Sequence, residues 1–136
     1  MKLKNAAVTL ARFALAIGFL SAVADRFGFW GPAGAPGIAW GNFAKFLDYT
    51  AILNPWVPKS LIPAIGGIAT FLEIVFAIAL MIGFRVKETA LASAILLFIF
   101  ALSMTLTVGI KAPLDYSVFS AASAAFLLYV IKNEET

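Results

Sequence analysis

IPAIGGIATFLEIVFAIALMIGF, residues 62–84, is the stretch on which the reading of the fold turns. It is apolar throughout except for Thr70 and Glu73. At ~1.5 Å per residue it is long enough, as a helix, to cross a hydrocarbon core of ~30 Å. A carboxylate at bilayer depth is costly and seldom left without a partner, so Glu73 is a candidate functional residue. Gly66, Ala69, Thr70 and Ala77 lie at three- and four-residue steps on or near its face. Small residues let neighbouring helices approach closely. Glu73 is therefore expected to point into a helix bundle and away from lipid.

The whole chain agrees with a membrane setting. Its 136 residues are 62% hydrophobic and 12% charged, against roughly half apolar and a quarter charged in soluble domains. The expected class is all-α, a single integral membrane domain over residues 1–136 built as a four-helix bundle. Lys and Arg are scattered and form no run, so no nucleic-acid partner is indicated. There is no cysteine and no histidine. Thiol exchange, Fe–S clusters, thiolate or His metal sites, conventional haem ligation and His acid–base chemistry all lack their residues. No metal ligand set is expected.

Three further spans are read at about 6–24, 89–108 and 114–131, with the second at 62–84. Gly83-Phe84-Arg85-Val86-Lys87-Glu88 is a short charged turn between the second and third. Gly109-Ile110-Lys111-Ala112-Pro113 separates the third and fourth, with Pro113 placed to open a helix and Asp115 in its first turn. The connection from Asp25 to Leu61 is long and begins with the Gly/Pro stretch 31–37. After it, Trp40, Phe43, Phe46, Leu47 and Thr50 recur at helical steps, which predicts a short interfacial helix over about 38–53. Trp30, Trp40 and Trp56 all fall in this connection, as interfacial anchors do.

An even number of spans puts both termini on one side. Lys2, Lys4, Arg85, Lys87 and Lys132 share that side, and the positive-inside rule makes it the cytoplasm. The aromatic connection then faces outward. Lys2, Lys4, an apolar stretch and Ala22-Val23-Ala24 imitate a secretory signal, but Arg12 interrupts that stretch, so the first span is expected to be kept.

Glu73 and Arg12 are the candidate catalytic pair. Arg12 lies about two turns into the first span, somewhat off the depth of Glu73, but its side chain is long. The pair is read as a buried ion pair or a proton-exchanging carboxylate in a ligand pocket. The plainer reading is that Arg12 snorkels to headgroups and Glu73 is a structural acceptor. Thr70 and Ser103 are candidate pocket hydroxyls, although hydroxyls on such helices mostly bond along or between helices. Asp25, Arg26, Lys111, Asp115 and Tyr116 are expected as a charged rim at the outward ends, with Trp40 in an aromatic cap able to close over a flat ligand. Arg26, Asp115, Tyr116, Trp40, Thr70 and Ser103 are thus the candidate ligand-binding residues. Arg12 and Arg26 are fourteen residues apart, within roughly 40° on one helix.

The stretch Ala11-Arg12-Phe13-Ala14-Leu15-Ala16-Ile17-Gly18-Phe19, the aromatic connection, Phe71-Leu72-Glu73-Ile74 and the Gly83-Phe84-Arg85 turn together resemble the DoxX family of small bacterial four-helix membrane proteins. Phe100–Thr105 and Gly109–Ser117 look like the same family's uncharacterised branch. The resemblance covers nearly the whole chain. It implies a four-helix bundle in a bacterial inner membrane, associated with membrane redox chemistry; it fixes no cofactor, and a quinone is the candidate. The architecture also resembles thiol–quinone enzymes of the vitamin K epoxide reductase type, whose cysteines are absent here. The first expectation is a membrane subunit that binds a quinone or similar lipophile and works with a redox-protein partner or as a homo-oligomer. The alternative is a non-catalytic membrane scaffold or chaperone-like partner. A small transporter is the third reading, and the broken helices typical of transporters are missing.

Overall fold

The computed structural model describes every residue from Met1 to Thr136, and all of its regular structure is helical. In chain order the helices are α1 (Lys2–Arg26), α2 (Phe43–Leu53), α3 (Ile62–Ile82), α4 (Val86–Thr107), α5 (Lys111–Asp115) and α6 (Val118–Glu134). One turn of 3-10 helix, Lys59–Leu61, leads directly into α3. α1, α3 with its leading turn, and α4 are long and apolar enough to cross a membrane.

The helices are laid down antiparallel. Arg12 and Arg26 of α1 reach Leu80 and Thr70 of α3, so the two helices run in opposite directions. Lys87, at the start of α4, bonds Thr136 beyond the end of α6, and Lys4, at the start of α1, pairs with Glu135. α1 packs on α3 and α4 on α6 along much of their lengths, and α3 with α4 and α1 with α6 touch over less. One continuous core joins all four, including Leu15, Phe19, Ala77, Leu80, Ala94 and Leu128. Alanines at Ala90, Ala94, Ala122 and Ala125 bring α4 and α6 together. Leu10, Phe71, Ile82, Leu106 and Leu127 stand fully outside. Exposed apolar surface on several helices is more than a water-soluble monomer carries, and it suits contact with lipid.

Two elements differ from the sequence expectation. The interfacial helix starts at Phe43 rather than 38, because Gly41 adopts φ +79° and Asn42 caps the helix by accepting from the Lys45 N–H at 2.8 Å. The stretch expected as the fourth span from 114 is split. Ser117 is left-handed at φ 55°, so α5 ends at Asp115 and α6 begins at Val118. α6 has 17 residues, the lower limit for a span. Asp115 closes α5 instead of opening a helix and pairs with Lys111 one turn earlier. Ser117 and Ser120 face outward, leaving Ala122, Ala125 and Leu128 as the buried face of α6.

Candidate functional site

Glu73 lies near the middle of α3, ~16 Å along the helix from Ile62 and ~14 Å from Ile82. Its carboxylate is held by Arg26, the last residue of α1. Nη1 donates to Oε2 and Nη2 donates to Oε1 at 3.1 Å, the two-pronged arrangement that suits a guanidinium and a carboxylate. Both side chains are only 3% exposed. Nη1 also donates to the Thr70 hydroxyl at 2.9 Å, and that hydroxyl donates onward to the Gly66 carbonyl at 2.8 Å. Gly66, Thr70, Glu73 and Ala77 are all buried, so the inward face read from their spacing is the face observed.

The guanidinium carbon stands 3.9 Å from the centre of the Phe46 ring and 5.3 Å from that of Trp40. Aromatic faces attract a cation, more strongly where water is excluded. Phe46 and Trp40 meet edge to face at 5.2 Å, and Phe43 and Tyr49 extend the cluster. α2 therefore roofs the charged pair. Its seat on α3 is Gly66, where a Cβ would fall 2.5 Å from the Leu47 side chain and 3.3 Å from the Phe46 ring. Burial pushes the Tyr49 phenol above its usual pKa, with Tyr116 adding to the effect.

Asp25 positions the chain that leads to this roof. Its carboxylate accepts from the backbone N–H groups of Ala39, Trp40 and Gly41 at 2.8–2.9 Å. Gly41 is required there twice over: its φ is +79°, and a Cβ would sit 2.2 Å from the Ala33 nitrogen. Adjacent residues at the end of α1 thus divide the work. Asp25 ties down the connection, and Arg26 reaches into the helix pair.

Of the residues expected at the site, Glu73, Arg26, Thr70 and Trp40 come together. Arg12 does not join them. Its Nε donates to the Leu80 carbonyl at 2.8 Å and its Nη2 to the Met81 carbonyl at 3.0 Å, so it caps the C-terminal end of α3. Left-handed Gly83 leaves room for this, since a Cβ there would lie 2.9 Å from Nη2. The expected Arg12–Glu73 pair is replaced by Arg26–Glu73, because the register of α1 on α3 brings the second arginine to Glu73. Asp115 and Lys111 form an exposed pair, Tyr116 is exposed, and Ser103 is half-buried with its carbonyl accepting from the Thr107 hydroxyl at 2.6 Å. The expected rim is divided: Asp25 and Arg26 are buried under the connection, whereas Lys111, Asp115 and Tyr116 are exposed.

Sequence reasoning missed Asp25 as an anchor and Phe46 as the ring on Arg26. An acidic residue just before a Gly-rich connection was the available signal for Asp25, since a short carboxylate readily gathers loop N–H groups. Two buried polar atoms have no partner, Nε of Arg26 and Oγ of Ser93. No group of acidic, His or Cys residues is placed to hold a metal ion. Comparisons with protein-family models, with curated proteins and with solved structures return no match.

Proposed function

We propose that the chain is a four-helix integral membrane protein of the DoxX-like kind, in a bacterial inner membrane with both termini in the cytoplasm. In this reading it is the membrane subunit of a redox system. A quinone or similar flat lipophile binds at Arg26, and a partner protein carries the electrons, since no side chain in the chain does so at ordinary potentials. The single observation that carries it is the Arg26 guanidinium. It is buried on Glu73 and Thr70, stacked on aromatic rings, and left with one donor, Nε, that has no acceptor. A ligand carbonyl would satisfy that donor, and a flat ring would take the place of Phe46 when α2 lifts. Lys87, Thr136, Lys4 and Glu135 gather at one end of the bundle, which supports a shared cytoplasmic side.

The test is native mass spectrometry of the protein extracted in mild detergent from its own membranes. A retained quinone is the expected result, with Glu73→Gln keeping the fold and weakening retention. An empty protein, or one whose retention Glu73→Gln leaves unchanged, overturns the reading.

A second reading, the non-catalytic scaffold, is favoured by one specific observation. The Glu73 carboxylate is already taken up by Arg26, and neither residue lines either of two clefts in the surface. Under it, the protein is recovered empty and bound to another membrane protein.

A further inference from the structure

At 3% exposure each, Arg26 and Glu73 offer a ligand no surface to approach. For anything to reach them an element over them has to move, and their neighbours are not held alike. α1 and α3 are joined by the bonds of Arg12 to the Leu80 and Met81 carbonyls and by Phe19 on Phe76 within the core. α2 has no such tie. Every hydrogen bond of residues 43–53 stays inside the helix or ends on its own flanks, Asn42 and Asn54. It meets α3 through Leu47 and Phe46 over Gly66, and Arg26 through the Phe46 ring. Lifting it breaks apolar and ring contacts but no hydrogen bond to another helix, as expected of an element that moves as a unit.

The two ends of α2 are tethered unequally. After it, residues 54–58 form a short link that carries Pro55 and Pro58 and runs straight into the turn before α3. Before it, residues 27–42 are long, and the backbone bonds of residues 31–38 are turns within that stretch, from Ala35 to Pro32 and from Ile38 to Ala35. This longer side is fastened at the end of α1. Asp25 accepts from Ala39, Trp40 and Gly41, and the Phe27 ring stacks on Phe43 at 5.5 Å. Phe46, which covers Arg26, lies ~12 Å along α2 from Asn54, so a swing about the short link carries it clear.

We infer that α2 is a hinged lid over Arg26 and Glu73, pivoting at residues 54–58 and latched at its other end by Asp25. Asp25 is then a positioning residue: it holds the lid and touches no ligand. The purpose of the lid rests on the reading of Arg26 as a lipophile site, whereas the motion itself is measured without a ligand.

The experiment is double electron–electron resonance on the full chain in phospholipid nanodiscs. Nitroxides are carried on Lys45→Cys in α2 and Glu88→Cys at the far end of α4, both exposed positions in a chain with no cysteine of its own. One main distance is expected, with a longer one for the lifted lid. Asp25→Asn sets an amide N–H against the loop donors, and should raise the longer population roughly fivefold, the effect of one lost hydrogen bond. Gly66→Ala, whose methyl meets the Leu47 side chain, should raise it by a separate route. For a swing of about 30°, the displacement is roughly 7 Å at Lys45 and under roughly 2 Å with that label moved to Ile52, beside the pivot. One unchanged distance in both variants overturns the inference. An equal displacement at Ile52 overturns it as well, since the helix then leaves whole, and so does a broad spread without a second maximum, which is melting of α2. If Asp25→Asn fails to fold, Gly66→Ala decides alone. No quinone is in the sample, so an empty protein in the retention test and a motionless α2 are separate failures.

Discussion

Arg12 and Arg26 stand on one helix, on nearly one face, and do different work. Arg12 ends among the carbonyls that finish α3, partly exposed, where a cation meets the negative end of the helix dipole. Arg26 ends on a carboxylate in mid-helix, buried, with a hydroxyl beside it and aromatic rings over it. The first contact is one that water or lipid headgroups could replace. The second has no substitute within reach. The role of an arginine in an apolar helix is therefore set by what the neighbouring helix presents at its level, not by its depth in its own helix.

Breaking the buried pair should have the largest effect. Arg26→Leu strands Glu73 in an apolar setting, with an expected loss of about 3–5 kcal/mol, read as unfolding in mixed detergent. Arg26→Leu with Glu73→Leu should recover most of it, because no unpaired charge remains. Asp25→Ala comes next. Three backbone donors lose their acceptor and the roof loses its anchor, so a loss of about 2–4 kcal/mol is expected. Faster hydrogen exchange at Ala39, Trp40 and Gly41 is the check, with the pairing of α1 and α3 intact.

Arg12→Gln sharpens the contrast from the other side. It removes charged donors from two carbonyls at a half-exposed helix end, for about 1–2 kcal/mol. Retention of any lipophile at Arg26 should not change, and if it does the two arginines share a site after all. The smallest effect is expected at alkaline pH. The folded pKa of Tyr49 is raised by burial, so its contribution is complete below the ordinary phenol value of about 10 and is lost as pH rises through the folded value. Tyr49→Phe should flatten that decline in a thermal-melt series.

Much of this was legible in the sequence. An apolar run of spanning length, the inward face of Glu73 and the small residues beside it follow from periodicity, and α3 carries them as read. The partner of Glu73 was not legible. Arg12 and Arg26 differ by roughly 40° around the helix, and a 35-residue connection between α1 and α3 leaves their register free. Packing across the pair fixes that register, with Phe19 on Phe76 at 6.4 Å. The roof was half legible. Its aromatic spacing predicted a helix, but the start at Phe43 depends on Gly41 and Asn42, residues whose effect is local and easily outvoted by a periodic pattern. The rim was legible only in part, since the connection folds over Asp25 and Arg26 and buries them, whereas Lys111, Asp115 and Tyr116 stay exposed.

The most direct single measurement is a pair of double-mutant cycles on Glu73, one with Arg26 and one with Arg12, followed by unfolding in mixed detergent. The expected result is a coupling of about 2–4 kcal/mol for Arg26–Glu73 and within about 0.5 kcal/mol of zero for Arg12–Glu73. A strong coupling to Arg12, with none to Arg26, would contradict the assignment of the buried site.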